Sequence, residues 1–198
     1  MTITYILGRK LYLNITNACP CACVFCIRNY SDSVGDAESL WLEREPTLDE
    51  IKAAFESRSD LNQVDEIVFC GYGEPFERAD DVIQIAEFIK ARYYYTPLRI
   101  NTNGLVRLIN PTFDISRLAI ANSVSVSLNA DDAEEYMRMT NPRFGIVAYS
   151  EMLEFVKIAR NFTNVTLTVV DTLSPERLEN CYRLADSLKL PLIVRSII

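Results

Sequence analysis

Short strand-like runs alternate with amphipathic, helix-like runs from one end of the chain to the other. The strand candidates lie near residues 11–16, 65–70, 97–102, 123–129, 164–170 and 191–195, each bounded by Gly, Pro, Asn or Asp. Between them, apolar residues recur at helical spacing. Leu48, Ile51 and Phe55 follow a Thr47-x-x-Glu50 capping box, and Val82, Ile83, Ala86 and Ile89 mark a second face. Tyr149, Met152, Leu153 and Val156 mark a third, and Ser174-Pro175 opens a last helix carrying Leu178, Cys181, Tyr182, Ala185 and Leu188. Repeated strand–helix units imply right-handed crossovers and a parallel sheet. Six units fall short of the eight that close a (β/α)₈ barrel. The expected fold is therefore α/β: an open, partial (β/α)6 TIM-like barrel with parallel strands, in one domain over residues 1–198. A flat doubly wound sheet is the alternative.

Within the strands a second pattern appears, because side chains two apart share a face. Tyr12, Asn14 and Thr16 oppose Leu11, Leu13 and Ile15, and Ser123, Ser125, Ser127 and Asn129 oppose Val124, Val126 and Leu128. Asn164, Thr166 and Thr168 oppose Val165, Leu167 and Val169, while Arg99, Asn101 and Asn103 oppose Leu98 and Ile100. With the apolar face against helices, the polar face lines the barrel interior, which a closed barrel would fill with branched apolar side chains. Four strands with this pattern predict a wet cavity for a polar ligand, against the plainer reading of one solvent-facing side.

Composition narrows the chemistry. The chain of 198 residues has no histidine, which removes imidazole bases, His-based triads and His-ligated metal sites. Its net charge is −7 with basic residues scattered, so nucleic acid is not an expected partner. No apolar run has the length of a membrane span, and the start, MTITYILGRK, lacks a secretory pattern, which predicts a cytoplasmic protein. The longest irregular stretch, residues 29–46, contains the only tryptophan, Trp41, and is a candidate functional loop.

Four of the six cysteines fall within eight residues: Cys19, Cys21, Cys23 and Cys26, directly after the first predicted strand. A disulfide framework is out of place in a cytoplasmic chain with a full-sized core, so the cluster reads as a metal site. Four local thiolates suit zinc or a complete iron–sulfur cluster. Cys21 and Cys23 flank a single residue and would crowd one ion. The spacing Cys19-x₃-Cys23-x₂-Cys26 instead supplies three of the four iron ligands of a cubane and leaves one iron open.

This sequence resembles the radical S-adenosylmethionine (SAM) superfamily, whose signature Cys-x₃-Cys-x-aromatic-Cys is matched by Cys19, Cys23, Phe25 and Cys26. The resemblance implies a [4Fe–4S] cluster on the three signature cysteines, with Cys21 a non-ligand. It extends to Cys70-Gly71-Tyr72-Gly73-Glu74-Pro75, where superfamily members contact the methionine ammonium of SAM, here through Gly73 and Glu74. At the following strand ends, Asn101 and Asn103 in Asn101-Thr102-Asn103-Gly104, and Ser127 and Asn129 in Ser127-Leu128-Asn129, are implied SAM contacts. Arg195 is a further candidate for a carboxylate of SAM or substrate. At finer grain the chain is similar to the TatD-associated radical SAM family, through Leu11 to Asn17, Leu40 to Thr47, Ser125 to Ala130, Pro142 to Gly145 and Leu167 to Asp171.

What the resemblance implies is reductive cleavage of SAM to methionine and a 5′-deoxyadenosyl radical, which takes hydrogen from an unidentified substrate. An external flavodoxin- or ferredoxin-like electron donor and a functional link to a TatD-type hydrolase come with it. The alternatives are a glycyl-radical-enzyme activase acting on a protein, suggested by Thr102-Asn103-Gly104, and a non-catalytic iron–sulfur or zinc module.

Overall fold

The computed structural model describes residues 1–196. Its strands form one seven-stranded sheet in sequential order: β1 (Thr4–Leu7), β2 (Lys10–Leu13), β3 (Glu66–Phe69), β4 (Leu98–Thr102), β5 (Ser123–Ser127), β6 (Asn164–Val170) and β7 (Leu192–Arg195). From β2 to β7 every neighbouring pair is parallel. The expected open, partial barrel of six parallel strands is present, since β1 and β7 are sheet edges among the described residues. Its curvature follows from the lining of one cavity. Lys10 of β2 and Arg195 of β7 face the same space, although a flat sheet would hold strands five apart at roughly 24 Å.

One strand was absent from the periodicity. β1 pairs antiparallel with β2, with Leu7 opposite Lys10 across a two-residue Gly8-Arg9 turn. Gly8 takes φ +62°, the left-handed conformation such a hairpin needs. The four residues of β1 show no alternation over a useful window. The clue was the Gly-containing turn between two apolar runs. Tyr5 stacks on Tyr12 directly across this hairpin, ring centroids 5.0 Å apart. On its other side it joins Ala37, Leu40 and Tyr72 in a small buried cluster. The hairpin thus gives the 29–46 loop an apolar seat.

The helices are α1 (Leu48–Glu56), α2 (Ala79–Arg92), α3 (Val106–Ile109), α4 (Ala133–Thr140), α5 (Val147–Ala159) and α6 (Pro175–Ser187). They cover the apolar sheet face, where Leu98, Ile100, Val124, Val126, Leu167 and Val169 are almost fully buried beside Ile51, Phe55, Phe155 and Cys181. None of these helices is long and apolar enough to cross a membrane. The capping box of α1 is formed: Glu50 N donates to Thr47 Oγ1 at 3.2 Å and Thr47 N to Glu50 Oε2 at 2.8 Å. Thr47→Ala is expected to cost about 1 kcal/mol, read as a lower unfolding midpoint in urea with an unchanged slope.

Candidate functional site

The polar strand face is divided between two cavities. The upper one, about 180 Å³, lies at the C-terminal ends of the strands beneath the cysteine loop. The lower one, about 480 Å³, lies along the N-terminal half of the same face.

The cysteine loop leaves β2 and docks against the end of α4. Cys21 bridges Pro142, Ala22 N donates to Thr140 O at 3.0 Å, Val24 N to Met139 O at 3.0 Å, and Arg143 N to Pro20 O at 2.8 Å. Asn14, Thr16 and Asn17 hold its root. Asn14 Nδ2 donates to Leu40 O (2.8 Å), Thr16 Oγ1 to Glu45 Oε1 (2.7 Å) and Asn17 Nδ2 to Leu42 O (2.7 Å). Here the polar-face expectation needs correcting. Asn14 and Thr16 lie past the end of β2, are buried, and pin the 29–46 loop instead of lining the cavity. Chain that leaves the sheet no longer obeys the two-residue alternation.

Cys19, Cys23 and Phe25 line the upper cavity together with Gly73, Glu74, Asn101, Asn103, Ser127 and Asn129. Cys26 stands beside them at a tight turn, its N–H donating to Cys23 O at 3.2 Å. Arg195 is the exception, because it lines the lower cavity, where its Nη2 donates to Ser125 Oγ at 3.0 Å. Cys21 is buried in the upper cavity wall, with Asn103 Nδ2 3.8 Å from its sulfur. Hydrogen bonds with its thiol neighbours Cys19 and Cys23, then burial, push Cys21 far up, while the bond from Cys21 brings Cys19 down to about 7. Burial pushes Cys26 up. Among the described residues no three His, Cys, Asp or Glu side chains converge on a single metal-ion position.

Glu74 is buried and accepts from three donors of the protein, which leaves one lone pair on Oε2. Its Oε1 accepts from Thr102 Oγ1 at 2.7 Å and Phe76 N at 3.1 Å, and its Oε2 from Asn103 N at 2.7 Å. Burial, then the charge of Cys19, raises its pKa to about 8 against the pull of those three donors. Burial therefore favours the neutral carboxyl. A cation beside it would restore the carboxylate.

The backbone explains two more residues. Asn129 has φ +56°, a left-handed conformation that Asn tolerates better than most residues. It is thereby turned into the cavity at the end of β5. Gly73 lines the cavity, but what its missing side chain accommodates is the chain itself. A Cβ there would sit 2.3 Å from Thr16 O and 2.6 Å from Ala18 O. Gly73→Ala is expected to push the 71–75 turn off the cysteine loop and to destabilise by about 1–3 kcal/mol. Thermal unfolding, read alongside iron content after reconstitution, checks this: both should fall.

Two cavity residues escaped the motif reading, Tyr136 and Thr140, and Thr102 stood inside a motif without a role of its own. Tyr136 is nearly fully buried and its hydroxyl has no hydrogen-bond partner among the described residues. Beside the Thr140 hydroxyl and facing the cavity, it is placed to bond water or a polar ligand. The available signal was the four-residue spacing of Tyr136 and Thr140 on one face of α4. Arg143, by contrast, is engaged in an ion pair with Glu77 at 3.1 Å.

The radical SAM superfamily profile matches residues 13–185, most of the chain. No curated protein matches the sequence significantly. Among solved structures, native anSMEcpe with bound AdoMet aligns with a TM-score of 0.61 at 14% identity, over 94% of this chain and 50% of its own. The hexahistidine-tagged form with bound AdoMet gives 0.64 at 14% identity, over 94% and 49%. The native form with bound AdoMet and Kp18Cys peptide gives 0.62 at 13%, over 94% and 50%. At such identities the likeness is one of fold, and the chain spans about half the length of these structures. Superfamily enzymes use a [4Fe–4S] cluster and SAM. With the profile running from the end of β2 into α6 over an open, partial TIM-like barrel, the chain belongs to the radical SAM superfamily.

Proposed function

We propose that Cys19, Cys23 and Cys26 ligate a [4Fe–4S] cluster at the top of the barrel, and that Gly73, Glu74, Asn101, Asn103, Ser127 and Asn129 hold SAM beneath it, with Phe25 packing beside them. The observation that carries this is the upper cavity itself. One space is faced by Cys19 and Cys23, a buried carboxyl and the orphaned Tyr136 hydroxyl. A cluster takes one thiolate at each of several irons, so its thiolates need not converge on one point, as those of a single zinc ion must. The donor set fits in charge as well. Burial pushes the Glu74 pKa up, and an ammonium beside it would favour the carboxylate.

Bound together, cluster and SAM supply a one-electron cleavage of the sulfonium that yields a hydrogen-abstracting 5′-deoxyadenosyl radical. The chain's own residues orient and enclose. Glu74, fixed by three donors, presents a rigid acceptor. Asn129 and Ser127 offer polar groups from the end of β5. The 29–46 loop is seated on the β1–β2 hairpin and pinned by Asn14 and Asn17 at the root of the cysteine loop. The substrate, still unidentified, gives up a hydrogen in the polar cavity. An external flavodoxin- or ferredoxin-like donor, a cytoplasmic setting, membership of the TatD-associated branch and a link to a TatD-type hydrolase complete the reading. The motifs from Leu40 to Thr47 and Pro142 to Gly145 support that branch.

Anaerobic reconstitution with iron, sulfide, SAM and a strong reductant tests it. The expected result is a brown protein that forms 5′-deoxyadenosine. A colourless zinc protein, or a brown one that leaves SAM intact, would overturn it.

A further inference from the structure

The lower cavity has a chemistry of its own. Three cations face it, Lys10, Arg99 and Arg195, in a chain whose net charge is −7. Glu66 is the carboxylate that meets two of them, at 2.8 Å from Lys10 Nζ and 3.0 Å from Arg99 Nε. Among the described residues one negative charge faces three positive ones, a surplus of about two. Arg195 pairs with no carboxylate among the described residues. Its side chain reaches from β7 across β6 to Ser125 Oγ on β5, a contact that uses one of five donors. Partial desolvation, then the Arg99 charge, lowers its pKa, although part of the side chain stays exposed. Hydroxyl-bearing Tyr12, Ser123 and Thr166 line the same space.

The geometry points to an oxyanion-binding site in this lower cavity, where Arg99, Arg195 and Lys10, with the Ser125 hydroxyl, take the phosphate or carboxylate group of a small-molecule substrate. The substrate role rests on the radical SAM reading; the anion binding does not. Arg99 is held in place by Glu66 and by Asn101 Oδ1, to which its Nη1 donates at 2.7 Å. Its Nε and Nη2 both donate to Glu66 at 3.0 Å, so the guanidinium is fixed in place with two of its five N–H donors left for an anionic group. Asn101 and Ser127, which face the upper cavity, stand two residues further along the same strands than Arg99 and Ser125. That is roughly 7 Å of strand. A substrate anchored below by its anionic end therefore needs only a few carbon atoms to bring a C–H bond to the upper level. A volume of about 480 Å³ accommodates such a molecule.

Isothermal titration of the anaerobically reconstituted protein tests this, with sodium phosphate and succinate as separate probes and ionic strength held constant with sodium chloride. Wild type should bind at least one probe saturably, and whichever saturates at the lower concentration identifies the preferred anionic group. Arg195→Gln should weaken that binding about tenfold or more, a loss near 1.4 kcal/mol. Arg195→Lys should recover part of it, and Lys10→Gln should weaken it independently, with thermal unfolding confirming that each variant is folded. No saturation of either probe by wild type overturns the proposal. So does an Arg195→Gln protein that titrates like wild type, or one that loses SAM binding while keeping the anion. Measuring 5′-deoxyadenosine in the same preparation separates the two readings. A protein that binds the anion but leaves SAM intact refutes the radical reading and keeps this site. One that cleaves SAM and ignores both probes does the reverse.

Discussion

Cys23→Ala is expected to abolish both the brown colour and 5′-deoxyadenosine formation, a loss of at least about 100-fold when one of three iron ligands is removed. Cys21→Ala should leave both within about threefold of wild type. The contrast follows from how the loop holds its thiols. Cys21 is anchored by its bridge to Pro142, buried in the cavity wall and faced by Asn103 Nδ2. Hydrogen bonds with Cys19 and Cys23, then burial, disfavour its thiolate, whereas the bond from Cys21 favours that of Cys19. The two share a hydrogen bond in which Cys21 stabilises the Cys19 thiolate. A modest slowing of cluster assembly in Cys21→Ala is consistent with that role, and loss of the cluster is not. Iron and sulfide analysis with visible absorption, run beside the product assay, decides. If Cys21 proves essential and Cys19 dispensable, the ligand set is wrong.

Glu74→Gln carries the second large effect, in two parts. Replacing a charge-assisted contact with the SAM ammonium by a neutral amide should cost about 1.5–3 kcal/mol, or roughly 10- to 150-fold in SAM affinity. Equilibrium binding of SAM to reconstituted protein measures it. The second part concerns stability in the metal-free protein. Glu74 titrates at about 8 when folded against an ordinary 4.5, so between those values the folded state holds a proton that the unfolded chain has released. Stability contributed at this site is therefore greatest below pH 4.5 and falls as pH rises towards 8, by on the order of a few kcal/mol. Glutamine has no proton to lose and should flatten that slope. It also gives up one acceptor oxygen, a cost that is the same at every pH. Urea unfolding at pH 5 and pH 8 should show wild type losing ground to Glu74→Gln at the higher pH. An equal gap at both pH values would refute the burial argument.

Much of the sheet was legible in the chain because burial on one face alone imposes a period of two. The predicted strand near 164–170 coincides with β6; those near 65–70, 97–102, 123–129 and 191–195 lose one or two residues in all, and that near 11–16 becomes 10–13 because the chain leaves the sheet after Leu13. The cysteine spacing was equally legible, since a loop around a cluster requires a fixed local separation of its ligands. Thr47 and Glu50, or Ser174 and Pro175, announced helix starts because capping is a contact between residues three or fewer apart.

The two-cavity division was not legible in this way. Arg195 and Ser125 are 70 residues apart and meet only because the sheet curves. Their alternation places both on the polar face and says nothing of the level at which each side chain lies. Asn14 and Thr16 share the period of β2, yet the chain leaves the sheet after Leu13 and spends their hydrogen bonds on a loop some 26 to 29 residues away. Sequence by itself determined the alternation of parallel strands with helices and the cysteine spacing, because each depends on local periodicity, capping or separation, and its motifs carried the family resemblance that implies the chemistry. Only the tertiary structure decided the burial of Glu74, the orphaned hydroxyl of Tyr136 and the cation-lined cavity, because desolvation and charge balance are set by neighbours distant in sequence.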